Sequence, residues 1–397
     1  MTQRIPHGTA AIVLLTLGCV TAGAEDHPEP RAPAPIRRDA ISRVTVFQAG
    51  ENGIHSYRIP AMVTANDGSL LLFAEGRKNS WRDKSPTDLV MKRSADGGRT
   101  WSPMMRLLDG GGDAYMDPVP LVDRTTGRIL LFVSRWPARD HSSFGNTAWM
   151  LISDDHGRTW SNPVNMTGRM TPPGRVVHGF GPGRGVQMGR GSRYAGRLVV
   201  PVRSSVRNGP AVIHAAYSDD GGRTWGYGRP AEGGVNELTI TECAPGRLIL
   251  NRRDDNRRFR AFSDDGGATW TPQEIDPGVA TVPNGCHGCV FGSDGMLFFT
   301  SPSGIPATKT HDNRARLTLH RSHDGGRTWP DRHLLFAQAS GYSDMTRMKD
   351  GRLALVFESA DSKGFSRASA RDRWMRLDVM TLPPEIFQPG IWFQESP

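Results

Sequence analysis

What the 397-residue chain lacks narrows its function before any motif is read. No run of 18 or more apolar residues occurs, so no membrane-spanning helix is expected. Cysteine is scarce, with four in the chain. Cys286-His287-Gly288-Cys289 makes one C-x-x-C, but no second pair completes a zinc site. Pro283 and Gly285 precede it and apolar Val290-Phe291 follows, so it does not open a helix; structural thiols or a local disulfide are expected. The twelve histidines show no metal-ligand spacing, and neither a catalytic metal nor another cofactor is expected. G-x-S-x-G, H-E-x-x-H and the P-loop are all missing. Gly179 to Gly185 is glycine-rich, but Val186-Gln187-Met188 and an arginine-rich turn follow it rather than a helix, so it is not a phosphate cradle. Acidic charge is in deficit, with 40 Asp and Glu against 49 Lys and Arg, a net charge of +9. The excess is mostly arginine and is scattered. Without a basic block or an aromatic-lined groove, nucleic acid is not an expected partner. The same surface would equally steer anionic glycans toward the protein.

Glycine and proline are abundant, at 46 and 29 residues. That exceeds the roughly 12% of ordinary usage and suits many short strands joined by tight turns. One octapeptide organises the chain. Ser94-Ala95-Asp96-Gly97-Gly98-Arg99-Thr100-Trp101 reads S-x-D-x-G-x-T-W, and copies begin at Ser153, Ser218, Ser263 and Ser322. The spacings of 59, 65, 45 and 59 residues mark a repeat architecture. Each copy reads as a hairpin turn. The Asp accepts backbone N–H groups of its own turn, the glycines permit positive φ, and the Trp plugs the base of the hairpin. Between copies the same grammar recurs: a strand, a D-G or G-R turn, an apolar strand such as Gly246-Arg247-Leu248-Ile249-Leu250, a third strand, then the octapeptide. A sixth unit, from Gly351-Arg352-Leu353 to a closing strand over Trp374 to Leu382, carries no octapeptide. Units of four short strands predict an all-β fold, a six-bladed β-propeller, with Val44 to Gln48 closing the ring beside the C-terminal strands.

The N-terminus reads differently. Arg4, apolar Ala10 to Val20 and the small-residue site Ala22-Gly23-Ala24 predict a signal peptide over 1–24, hence a periplasmic or secreted protein. A lipoprotein reading through Leu17-Gly18-Cys19 is weaker, because Thr16 stands where a bulky aliphatic is usual. Residues 25–41 form a Pro-rich linker, with Pro28, Pro30, Pro33 and Pro35, before the propeller over 42–397.

Tyr57-Arg58-Ile59-Pro60 followed by five such octapeptides (Asp boxes) resembles the bacterial exo-sialidases, or neuraminidases, over about residues 42 to 382. The resemblance implies hydrolysis of terminal sialic acids from glycoconjugates through a tyrosyl-glycosyl intermediate. It implies that Arg58, Arg253 and Arg314 grip the sialic acid carboxylate, a task suited to planar guanidiniums. Tyr342 matches the nucleophile, Glu237 the base that activates it, and Asp83 the acid/base. Glu358 matches the residue that orients Arg58, while Arg77 and Asp117 match residues lining the pocket. A phenol in place of a carboxylate nucleophile makes electrostatic sense, since the substrate's own carboxylate would repel the latter. Asp88 competes with Asp83, Arg252 with Arg253, and Arg316 with Arg314. Glu242 competes with Glu237, but strand alternation sets Glu237 with Thr239 and Thr241 rather than with Leu238 and Ile240. The expected partners are sialylated oligosaccharides, glycoproteins and glycolipids. Alternatives are action on a deaminated sialic acid, transfer to a sugar hydroxyl, or a non-catalytic propeller serving as lectin or scaffold.

Overall fold

The computed structural model describes Met1 and residues 35–138, 145–206, 209–304, 314–361 and 375–393. Apart from Met1, the expected signal peptide and the linker up to residue 34 lie outside the described residues.

The described chain is almost entirely antiparallel β-structure. β1 (Ser42–Gln48) is followed by β2 (Ser56–Thr64), β3 (Leu70–Arg77), β4 (Thr87–Ser94) and β5 (Met105–Leu108). Next come β6 (Ala114–Val122), β7 (Ile129–Trp136), β8 (Thr147–Ser153) and β9 (Val164–Asn165). β10 (Val176–Phe180), β11 (Val186–Gln187), β12 (Leu198–Ser205), β13 (Ala211–Ser218) and β14 (Gly226–Tyr227) form a third group. β15 (Leu238–Ala244), β16 (Arg247–Arg253), β17 (Arg258–Ser263) and β18 (Glu274–Ile275) form a fourth. The last strands are β19 (Cys289–Ser293), β20 (Met296–Pro302), β21 (Ala315–Ser322), β22 (Asp331–Arg347), β23 (Leu353–Ala360) and β24 (Arg376–Leu382).

From β2 on, the chain meanders within each group, each strand pairing with the next, except that short β11 joins the edge of β12 beside β10. β2 to β5 and β6 to β9 join into one eight-stranded sheet through a single parallel contact, Thr87 with Ala114. At the other end, 17-residue β22 serves two neighbours: its first half pairs with β21 and its second with β23. β1 pairs with β24, so an N-terminal strand completes the C-terminal sheet. Residues just before β1 are also held. Ile36 is buried, and its N–H donates to the Trp392 carbonyl at 2.7 Å.

The second strands of the meanders are buried on both faces. β3, Leu-Leu-Leu-Phe-Ala-Glu-Gly-Arg, has no exposed residue, which explains its near-continuous apolar run. The core lies between neighbouring sheets rather than in one centre. Val46, Phe47, Tyr57, Leu72, Val356 and Val379, for example, join β1 and β2–β3 to β23–β24.

The five octapeptides begin at the last residue of β4, β8, β13, β17 and β21, the third strand of their meanders. Asp96 accepts from the N–H groups of Arg99 and Thr100 and from the Ser94 and Thr100 hydroxyls, between 2.6 and 3.1 Å. Ser94 Oγ in turn accepts the N–H of Gly98, whose φ of 85° suits glycine. The Trp101 indole donates to the Gly98 carbonyl. In all five boxes the Ser, Asp and Thr side chains bond within the turn itself.

Candidate active site

The strands that bring the candidate side chains together are bent where they do so. β2 slips register between Arg58 and Ala61, β6 between Met116 and Val119, and β22 between Ser340 and Ser343. Ile59 and Asp117 sit at these bulges with φ of 53° and 57°. A β-branched residue at positive φ is strained, and such strain is held only where the surroundings enforce it. The bulges turn Arg58, Asp117 and Tyr342 toward one region.

Tyr342 lies at the centre and is buried. Its hydroxyl donates to Glu237 Oε1 at 2.6 Å and accepts from Arg253 Nη1 at 2.7 Å. The same Arg253 nitrogen donates to Glu237 Oε2 at 2.6 Å, closing a triangle. The guanidinium carbons of Arg58, Arg314 and Arg253 lie 5.3, 5.4 and 6.0 Å from the Tyr342 ring centroid. Glu358 braces the group from behind. Its carboxylate accepts from Arg58 Nε at 3.0 Å, Arg58 Nη2 at 3.2 Å, the Ile59 N–H at 3.1 Å and the Tyr342 N–H at 3.2 Å. Asp83 projects from the loop after β3. It pairs with Arg77 at 2.8 Å and reaches Arg58 at 3.8 Å. Asp117 pairs with Arg203 at 2.6 Å.

The four competitors lie elsewhere. Asp88 is buried between Lys78 and Arg106 and accepts the Gly110 N–H. Glu242 accepts the Gly189 and Gly246 N–H groups. Arg252 bonds Gln273 and covers the Phe259 ring, on the opposite face of β16 from Arg253. Arg314, not Arg316, faces Tyr342. Among the described residues Cys243, Cys286 and Cys289 are free and buried, so Cys286 and Cys289 form no disulfide; the Cys289 thiol donates to Asp344.

Electrostatics follow from burial and these pairs. Burial pushes the Tyr342 phenol well above its ordinary value, and the arginines offset only part of that push. Burial also pushes Glu237 up, but Arg253, neighbouring charges and the Tyr342 hydrogen bond outweigh it and hold the carboxyl at about 2. Against the cost of desolvation, Arg77 and Arg58 hold Asp83 below the usual range. The Asp83 side chain is 68% exposed, so solvent screens part of that attraction. Asp117 goes the other way. Burial raises it to about 7, with Arg203 opposing and Glu75, Glu237 and Asp83 adding to the rise.

Three participants escaped the sequence reading. Glu75 is fully buried; it holds Arg77 with one oxygen and accepts the Asp117 N–H with the other. Its signal was present: one acid inside an apolar strand needs a partner. Arg203 on β12 had no such signal. The third is the loop before β19. The successive carbonyls of Asn284, Gly285 and Cys286 accept from Arg253, Arg314 and Arg258 at 3.2, 3.0 and 2.6 Å. Positive φ at Asn284 and Gly285 aims them, and a Cβ on Gly285 would stand 2.3 Å from the Asp254 carbonyl oxygen.

Among the described residues no group of three or more His, Cys, Asp or Glu is placed to hold a metal ion, and no helix is long and apolar enough to cross a membrane. Comparison with known proteins agrees with the geometry. Residues 108–355 match the family described as BNR repeat-like domain. The chain is 30% identical to a sialidase of Micromonospora viridifaciens over 98% of its own length and 64% of that protein. It is 32% identical to a sialidase of Bacteroides fragilis, covering 80% of this chain and 62% of the relative. It thus spans less than two thirds of either relative. Among solved structures, a Hadza microbial sialidase superposes with a TM-score of 0.71 at 27% identity, over 87% of this chain and 69% of that one.

Proposed function

Since the chain belongs to the BNR-repeat sialidase family, we propose that it is a retaining exo-α-sialidase that removes terminal sialic acids from glycoconjugates. The observation that carries this reading is the triangle of Tyr342, Glu237 and Arg253 set within three guanidiniums. An acidic sugar bearing its carboxylate on the reacting carbon fits such a cluster, because each charge-assisted bond is worth roughly 1.5–3 kcal/mol.

The chemistry follows from the charges. In the empty site Glu237 is ionised and Tyr342 is neutral, and the wide gap between their proton affinities opposes transfer. Arginine is what holds Glu237 down. A substrate carboxylate that occupies the guanidiniums cancels part of their field, so binding raises the basicity of Glu237. Glu237 then takes the phenol proton as Tyr342 Oη bonds to the anomeric carbon, and Asp83 protonates the departing glycosidic oxygen. The same cancellation at Arg58, with exclusion of water by the bound sugar, lifts Asp83 toward the protonated form that a general acid needs. In the second half Asp83 takes a proton from water, water displaces Tyr342, and Glu237 returns the proton. Two inversions retain configuration. Arg77, Asp117 and Arg203 line the pocket around the ring substituents.

The consecutive meanders, with β22 shared by two of them and β1 completing the last, support a six-bladed propeller whose mouth holds the site. The signal-peptide pattern supports export. Proton NMR of a sialyllactose digest tests the proposal. Release of α-sialic acid as first product is expected; β-product first, or no cleavage of any sialoside between about pH 4 and 8, refutes it.

A further inference from the structure

One buried group beside the nucleophile has no part in the scheme above. His287, inside the C-x-x-C, is 1% exposed, and its ring lies against Tyr342 with centroids 5.3 Å apart and planes 28° apart. Neither ring nitrogen bonds another side chain, and the Pro182 backbone is the polar group that approaches the ring. A Cβ on Gly183 would stand 3.7 Å from the imidazole Cε1, so the Pro182-Gly183 turn closes over the ring. The charged groups facing the ring are Glu237, Arg258 and Arg253. His287 also directly follows the three carbonyls that hold Arg253, Arg314 and Arg258.

From this geometry we infer that His287 is a positioning residue: a buried ring that fixes the plane of the Tyr342 ring and leaves Glu237 to the phenol alone. The inference rests on the sialidase reading of the site. Tyr342 Oη must stay within reach of both Glu237 and Arg253, and only the orientation of its ring ensures this. Stacked aromatic pairs contribute roughly 0.5–1.5 kcal/mol beyond their burial. Neutrality matters as much as shape. A charged imidazole would add a cation next to Arg253 and Arg258 and would compete with Tyr342 for Glu237. Burial first, with Arg258 and Arg253 assisting, keeps the ring neutral down to about pH 4 although Glu237 pulls the other way.

The test uses His287→Ala, which removes the ring, and His287→Phe, which keeps a ring that takes no proton. Steady-state kinetics on a fluorogenic sialoside are run from pH 3 to 7 (roughly the span of a neutral to charged imidazole), with circular dichroism at each pH to verify folding. His287→Ala is expected to lose about 3- to 10-fold in kcat with KM within about twofold. His287→Phe is expected to restore most of kcat. Its acid limb is expected to move from about 4 toward the Glu237 value of about 2. Wild-type kcat in His287→Ala, or an unmoved acid limb in folded His287→Phe, overturns the inference. Histidine NMR of the wild-type protein, with the resonance assigned by its loss in His287→Phe, needs no activity. An imidazole neutral at pH 6 supports the inference, and a charged one overturns it. Inactivity of the wild-type enzyme on every sialoside would instead defeat the functional reading, and the NMR titration would still decide the state of His287.

Discussion

Gly341 offers a test of the site that replaces neither Tyr342 nor an arginine. A Cβ at this position would stand 2.2 Å from Glu358 Oε2 and 3.1 Å from Glu358 Cβ. A carboxylate at the end of a free side chain would simply swing away. This one is 1% exposed and accepts four hydrogen bonds, so moving it means breaking some of them. Two go to Arg58, and each charge-assisted bond is worth roughly 1.5–3 kcal/mol. Loss of one predicts about a 10- to 100-fold fall in kcat/KM for Gly341→Ala. Because the Tyr342 N–H shares the same oxygen, the fall should appear in kcat as well as KM. Gly168→Ala is the control: no atom lies within 4 Å of its Cβ, and it should behave as wild type. The assay is steady-state hydrolysis of a fluorogenic sialoside, with a thermal melt to verify folding. A folded Gly341→Ala enzyme within about threefold of wild type would refute the view that Glu358 holds Arg58 and Tyr342 in place.

Tyr342→Phe should lose most turnover yet still bind an unsaturated sialic acid analogue by calorimetry; near-normal kcat would exclude Tyr342 as nucleophile. Asp117, raised to about 7 by burial, keeps its proton to higher pH when folded than when unfolded. Stability should therefore decline as pH rises from about 4 to 7, and urea midpoints of Asp117→Asn should show a flatter profile over that range. Asp155, in the second box, is opposite in sign. Despite the cost of desolvation, bonds from Thr159, Ser153 and Arg158 hold it at about 2. Its contribution is present above the unfolded value near 3.8 and is lost as pH falls through 2. Asp155→Ala should thus lower Tm by a few degrees at pH 7 but not at pH 2, with kcat unchanged.

The Asp boxes were legible because the bonds of their Ser, Asp and Thr side chains are local. Ser, Asp, Gly and Thr meet within eight residues, so a pattern in the chain is a pattern in space. Tyr57-Arg58-Ile59-Pro60 singled out Arg58 by resemblance instead, since its partner Glu358 lies 300 residues away. Choices between neighbours were harder. Arg252 and Arg253 differ only in the face of β16 they occupy, and that face is set by pairing with β15 and β17. Arg203 was invisible, because its partner Asp117 is 86 residues away and the sequence around it is an ordinary strand. Cys286-His287-Gly288-Cys289 drew attention for its thiols. Its thiols are buried and free, as one of the two expectations had it, while the Cys286 carbonyl that accepts from Arg258 is a feature a cysteine pattern does not advertise.

The pairing of β1 with β24 bears on how the protein is made. Thr45 bonds Asp378 across 333 residues, and Arg58 meets Glu358 across 300. At roughly 5–20 residues per second, a ribosome leaves β1 without its partner for about 15 to 70 s, whereas hairpins form in microseconds. During that wait Ser-Arg-Val-Thr-Val-Phe-Gln is a β-prone segment with an open edge. Arg43 puts a charge in that segment, of the kind that opposes pairing between chains, and in the paired strand its guanidinium lies over the Phe336 ring and 3.7 Å from Asp378. Until β24 has emerged β1 lacks its partner, and until Glu358 has emerged Arg58 lacks its brace, so both the sheet and the site wait on contacts of high sequence separation.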